Sequence, residues 1–316
     1  MRQSISQLLA SVLLVLSLSC GGGGGGSATG LSFIVVVDAI GQLLAIFSIG
    51  DEGTPNPLSS IIGLDNPIGV AFDTSRNQIH VAELNLDSIR VFDSSQTGAA
   101  TPIREIAGVN TTLDGPSRIT LDLVNDEIYV GNVDTGAILV FGILDDGNVA
   151  PTRSISGVNT GFNAIDAVGV DTMANEIFAV GIDADEIFVY NRTDTGNIAP
   201  KRSIVGAATL LNEPLDIEVD MDNDELIVAN SMGDNILIFP IAAMDNAAPS
   251  RVIEGVLTEI VDPVGVDLDP QTGEIFVADS TGKVLVFDRL DDGNVAPKRM
   301  FDSPAVGGVD DLALGD

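Results

Sequence analysis

The chain has 316 residues and carries 46 Asp+Glu against 14 Lys+Arg, a formal net charge of −32. So acidic a surface repels nucleic acid and anionic membrane surfaces, which excludes both as direct partners and suits cations, basic partners or salty surroundings. A single cysteine, Cys20, allows no internal disulfide, so any fold must be held by packing.

Residues 1–20 read MRQSISQLLASVLLVLSLSC. Arg2 gives a positive start, residues 8–18 are apolar, and small residues lead to Cys20. This is the pattern of an export signal, 1–19, too short to span a membrane as a helix. A cysteine directly after the apolar run, followed by six glycines, resembles the lipidation site of bacterial lipoproteins. In those proteins the cysteine is acylated and becomes the new N-terminus. Ser17 stands where they favour Leu, and ordinary cleavage leaving Cys20 free is the rival reading. On the lipoprotein reading, 20–30 is an acylated Cys20 plus a flexible tether. The membrane is then met only through that anchor, in a bacterial cell envelope, at the outer membrane or cell surface.

From residue 31 to 316 the sequence repeats. Copies begin at Asp65, Asp114, Asn163, Asn212 and Val261, 49 residues apart each time. Each holds four short apolar runs in the same order; in the copy starting at Asp114 they are 119–121, 128–130, 138–141 and 153–155. Their length, β-branched content and bounding Asp, Asn, Gly and Pro read as strands. Four antiparallel strands repeated at this period predict β-propeller blades. Ahead of these copies, 33–37, 44–47 and 57–62 align with second, third and fourth strands, so the first unit lacks its first strand. At the other end, 310–314 aligns with a first strand that nothing follows. The expectation is an all-β, six-bladed propeller in one domain, closed where the N- and C-terminal segments pair within one blade.

The unit resembles NHL-repeat propellers. The residues that carry this are Pro67-Ile68-Gly69-Val70-Ala71-Phe72-Asp73 with 79–83 and 89–93, and Gly265-Val266 with 275–279 and 284–288 in the last copy. The resemblance covers roughly residues 33–316 and implies the fold rather than a function, since such propellers serve as enzymes, ligand binders and docking platforms. With no Trp in the chain, the Trp-Asp propeller class is excluded.

Several registers carry candidate chemistry. The residue closing the second strand is Asp38, Glu83, Asn132, Gly181, Asn230 and Asp279 through the six units, with Asp183 just after the glycine. Converging oxygens of this kind suit a polar ligand or a hard cation such as Ca²⁺; equally, Asp and Asn at a hairpin bond their own backbone. Asp220, Asp222 and Asp224 alternate as in a Ca²⁺ loop, although Glu225 replaces the usual glycine and a plain turn fits as well. Arg104, Arg153, Arg202, Arg251 and Arg299 share one register on the fourth strand, with Asp145, Asp194 and Asp292 nearby as partners. His80, the only histidine, aligns with Val35, Tyr129, Phe178, Ile227 and Phe276 and is expected to pack in the core.

Six-bladed lactonases and phosphotriesterases resembling gluconolactonase hold Ca²⁺ in the central tunnel, on residues at the start of the innermost strands. The matching positions here are Ile68, Ser117, Asp166, Leu215, Val264 and Asp310, three of them aliphatic. Shifting by one gives Gly69, Arg118, Ala167, Asp216, Gly265 and Asp311, which reads no better as a metal site. No nucleophile elbow and no phosphate-cradling glycine loop is present. The sequence thus points to an exported, monomeric, non-catalytic module that binds a protein, glycan or small ligand through loops 109–115, 158–164, 207–213 and 256–262. A Ca²⁺-dependent lactonase or esterase using Asp166, Asp310 and Ser117 is one alternative, and a structural envelope protein is another.

Overall fold

A computed structural model describes residues 32–182 and 185–315. Cys20, the export segment and Asp183 lie outside the described residues. The chain forms six four-stranded antiparallel sheets, and the innermost strands of successive sheets pack side by side in a closed circle. It is a six-bladed β-propeller. Five blades are continuous in sequence, with innermost strands Pro67–Asp73, Pro116–Asp122, Ile165–Asp171, Pro214–Asp220 and Pro263–Asp269 in blades two to six. Blade one is shared between the ends. Its innermost strand is Asp311–Gly315, paired antiparallel with Phe33–Asp38 through Ile34↔Leu314, Val35↔Ala313 and Val36↔Leu312. Leu43–Ser48 and Ser59–Ile62 complete it.

Local chemistry explains the recurring hairpin between first and second strands. Asp73, Asp122, Asp171, Asp220 and Asp269 close the first strands, and each turns its carboxylate back onto backbone N–H groups two or three residues ahead. Asn77, Asp126, Asn175, Asp224 and Gly273 then take the left-handed conformation before the second strand begins, a position that favours Asn, Asp and Gly.

The core is six wedges, one between each pair of neighbouring blades. Between blades five and six, for example, Ile227, Ile236, Ile238 and Ile253 meet Val266, Leu268, Ile275, Val277 and Phe287. The middle strands are therefore apolar on both faces, as sheets covered on both sides require. His80 fills the position taken by Tyr129, Phe178 and Phe276 elsewhere and is fully buried.

The outer edges are covered too. The loop between third and fourth strands of each blade forms one bridge to the outermost strand of the blade before it: Ile61↔Gly98, Ile106↔Gly147, Ile155↔Gly196, Ile204↔Asp245 and Ile253↔Gly293. Gly53↔Phe301 makes the same bridge across the seam between blades six and one. A free strand edge is a template for aggregation, and here every joint, the seam included, carries the same cover.

Candidate functional site

The innermost strands begin with a bulge. Register slips between Pro67 and Gly69, Pro116 and Ile119, Ile165 and Val168, Pro214 and Asp216, and Pro263 and Gly265. A bulge re-aims the side chains that follow it. In these five strands the set one residue later than a simple alternation gives reaches the axis, with Arg118 and Asp216 among it, followed by Thr120, Glu218 and Asp267; Asp311 of blade one joins them from a strand paired in unbroken register.

Arg118 closes the bore at the end where the loops enter the innermost strands. Its Nη1 donates to Asp166 Oδ2 at 2.5 Å, and its Nη2 donates to the backbone carbonyls of Asp310, at 2.9 Å, and Val264. Asp166 also accepts from the Ser117 hydroxyl. Asp311 Oδ1 and Asp216 Oδ1 lie 3.9 and 4.0 Å from Arg118 Nε. Burial opposes the guanidinium's charge, but Asp166, Asp311 and Asp216 outweigh it and hold the group protonated.

The remaining axial carboxylates serve the free edges of neighbouring innermost strands. Asp311 accepts from Val70 N–H at 2.9 Å, Asp216 from Val266 N–H at 2.8 Å, and Asp267 from Leu314 N–H at 2.9 Å. Each stitches one blade to the next with a charge-assisted bond to an otherwise unpaired donor. Burial raises these acids, and their crowding adds to it: Asp216 to about 6, Asp267 to about 7, and Glu218 and Asp311 well above the usual carboxylate range. Below Arg118 the bore widens into a cavity of about 350 Å³ that runs to the first–second hairpins at Leu123, Val124, Thr172 and Met221. Its mouth is thus on the face opposite the entry loops singled out from sequence.

The other sequence candidates are distributed as follows. Asp166 sits on the axis against Arg118. Asp310 points away, accepting from Ala39 N–H at 2.7 Å. Asp220 is a hairpin residue bonded to Asn223, and Asp222 and Asp224 lie exposed in the same turn. Among the described residues, no three His, Cys, Asp or Glu side chains group as a metal ion needs.

Asp38, Glu83, Asn132, Asn230 and Asp279 are completely buried. Asn132, Asn230 and Asp279 each accept from the backbone N–H 18 residues earlier, Asp114, Asn212 and Val261, at 2.7 to 2.8 Å. Asp38 accepts from Gly307 N–H at 2.6 Å across the seam, whereas Glu83 pairs with Arg90 at 2.9 Å. In blades one, three, five and six this register fastens the entry loop to its own blade.

The arginine register meets partners other than those expected. Asp145 and Asp194 cap their own turns, and Asp292 accepts from the Val252 backbone. The arginines instead pair with the residue opening the second strand. Arg153 reaches Glu127, Arg202 reaches Glu176, Arg251 reaches Glu225 and Arg299 reaches Glu274, all within 2.8 Å, and Arg104 reaches Gln78 at 2.6 Å.

Each of these glutamates has a second cation. For Glu127 and Glu225 it is Arg192 or Arg289, from the next blade. Where the next blade offers Ile241 or Ile49 at that place, Lys201 or Lys298 precedes the register arginine and serves instead. Gln78, being neutral, has Arg104 alone. Nine of the chain's 14 cations are spent in this belt. The sequence held the signal: Gln78, Glu127, Glu176, Glu225 and Glu274 recur with the same 49-residue period.

The fold and the axial site define a six-bladed propeller with an internally neutralised bore. No family model and no curated protein matches the sequence. Among solved structures, the chain is similar to a functionally unknown protein from Desulfotomaculum acetoxidans DSM 771, at 12% identity and a TM-score of 0.59, over 86% of this chain and 80% of that one. At that identity the likeness concerns the fold alone.

Proposed function

We propose that the protein is an exported, lipid-anchored propeller acting as a non-catalytic binding module. The observation that carries this reading is the Arg118 guanidinium. It takes the axial position and engages Asp166, one of the two carboxylates that a lactonase-type hydrolase would need here for its cation, with Asp216 and Asp311 alongside, as a positive charge built into the chain.

The fold also supports a display role. Phe33 enters on the face of the first–second hairpins, beside Gly315. A lipid on Cys20, with a tether of 20–30 spanning at most about 40 Å, would turn that face toward the membrane and leave the entry loops outward. Those loops carry Val109, Val158 and Val256 in one register, each exposed by 87% or more. Apolar side chains repeated around one rim suit a protein or glycan partner.

Two experiments test this reading. Lactones and aryl esters offered with Ca²⁺ should show no turnover above buffer; Ca²⁺-dependent turnover lost in Asp166→Ala would overturn the non-catalytic assignment. Labelled fatty acid should be incorporated by the wild type and not by Cys20→Ser. Equal labelling of both would remove the anchor.

A further inference from the structure

We propose that the cavity at the rim between blades four and five receives an arginine side chain from a basic segment of a second protein, with its guanidinium on Asp171 Oδ2. The inference is separate from the display role of the entry loops and rests only on the binding-module reading. The walls come from the first–second hairpin of blade four, with Asp171, Ala174 and Glu176, and from the third–fourth loop of blade five, with Ile241, Ala242 and Met244. The space measures about 570 Å³, ample for one long side chain and the backbone that carries it.

Asp171 is the odd member of its register. Each hairpin carboxylate gives Oδ1 to backbone N–H groups of its own turn. In four of the five, the side chain three residues ahead then bonds Oδ2: Arg76 on Asp73, Asn125 on Asp122, Asn223 on Asp220 and Thr272 on Asp269, at 2.7 to 3.0 Å. Three residues after Asp171 stands Ala174, which has no donor to offer. Among the described residues Asp171 Oδ2 therefore meets no donor, although Asp171 is only 5% exposed and forms part of the cavity wall. The oxygen keeps accessible surface, unlike the unbonded and sealed ring nitrogens of His80. A largely buried acceptor left open in this way favours an incoming donor.

The chain itself shows which donor fits. Between blades three and four, Arg192 stands directly after the third strand of blade four and reaches back, its Nη1 2.7 Å from Glu127 and 3.9 Å from Asp122. Arg289 does the same between blades five and six, 3.1 Å from Glu225 and 3.9 Å from Asp220. Between blades four and five the equivalent residue is Ile241, and the pair Asp171 and Glu176 borders the cavity instead. An arginine from outside would repeat the arrangement, its fork spanning the acid pair and its stem lying along Ile241 and Met244. Glu176 is held by Arg202 at 2.8 Å and by Lys201, whose side chain is 48% exposed and can give way into water. The net charge of −32 would draw a basic partner in from a distance.

The test is titration of the propeller, whose ring closes within residues 32–315, with N-acetylargininamide and its citrulline counterpart, followed by NMR at about 0.15 M salt to screen the general acidity of the surface. The arginine derivative should bind saturably at one site per chain. The citrulline derivative, neutral and nearly the same shape, should bind at least about tenfold more weakly, the margin a charged hydrogen bond supplies. Asp171→Asn should lose the same factor, since its Oδ1 can still close the turn while an amide donor replaces Oδ2. Ala174→Asn should lose it too, because Asn at this place bonds the second carboxylate oxygen, as Asn125 and Asn223 do. Thermal unfolding of both variants should stay cooperative. Lys201→Met, which removes a competing charge, should bind at least as tightly as the wild type. The proposal fails if the arginine derivative does not bind, if the citrulline derivative binds as tightly, if Asp171→Asn or Ala174→Asn binds unchanged, or if Lys201→Met binds more weakly. Failure here leaves the lactone, ester and fatty-acid experiments untouched.

Discussion

Replacing Arg118 by Met keeps much of the side chain's bulk and removes its charge from the bore. Three carboxylates then lose their counter-ion: Asp166, which was 2.5 Å away, and Asp311 and Asp216, at 3.9 and 4.0 Å. At an effective dielectric constant near 20, each contact at 4 Å represents about 4 kcal/mol of gross attraction. Desolvation of the pair offsets most of that, and breaking a buried pair from one side costs about 3–5 kcal/mol net. The carbonyls of Val264 and Asp310 also lose their donor.

Urea unfolding at pH 7 should therefore show Arg118→Met less stable by about 3–5 kcal/mol. At pH 5 the deficit should shrink, because the abandoned carboxylates can take up protons there. Adding Asp166→Asn should recover part of the loss at pH 7 and little at pH 5. A variant within about 1 kcal/mol of wild type at pH 7, or equally destabilised at both pH values, would refute the reasoning, since neither is compatible with a broken buried pair.

Four further outcomes follow from the same geometry. His80 is buried, and burial and then Arg104 push its imidazole down to about 4, from an ordinary 6.5. The unfolded chain binds that proton first, so stability falls as pH drops from about 6.5 toward 4, by about 2 kcal/mol between pH 8 and 5; His80→Phe should flatten urea-unfolding curves over that interval by this amount.

Asp267 has the opposite sign, because burial raises it to about 7 and the folded state holds the proton more tightly. Its contribution is favourable at low pH and lost as pH rises from about 4 to 7, so Asp267→Asn should gain on the wild type from pH 5 to pH 8. Arg251→Met should cost about 2 kcal/mol through its bidentate pair with Glu225, against less than about 1 kcal/mol for Lys201→Met, whose side chain is 48% exposed. Truncation after Gly308 removes the innermost strand of blade one and should leave Phe33–Asp38 as a bare edge, read as concentration-dependent aggregation in light scattering.

Much of the fold was legible because the repeat is nearly exact in length. A 49-residue period locates every strand, and the orphan segments at the two ends can only complete one another. The axis was not legible for a local reason. Counting inward from Ile68, Ser117 and Asp166 assumes unbroken alternation, and the bulge opening the innermost strands of blades two to six breaks it, bringing Arg118 and Asp216 inward.

The arginine partners were missed because they lie 25 or 26 residues away across two strands, while the acids close by in sequence are engaged by backbone N–H groups. The polar register at the end of the second strand was seen, and Asp38 and Asp279 do accept from N–H groups of their own hairpin, at Gly41 and Thr281; the bonds that Asn132, Asn230 and Asp279 make 18 residues back to the entry loop are what a nearest-neighbour argument about hairpins does not anticipate.

The central claim is that a guanidinium from the chain itself fills the place on the axis that a metal ion would take in a hydrolase. Calorimetric titration of the wild-type propeller with Ca²⁺ at neutral pH tests it most directly. With Arg118 in place, no saturable heat is expected in the micromolar range. Tight binding of one Ca²⁺ per chain, abolished by Asp166→Ala, would contradict it.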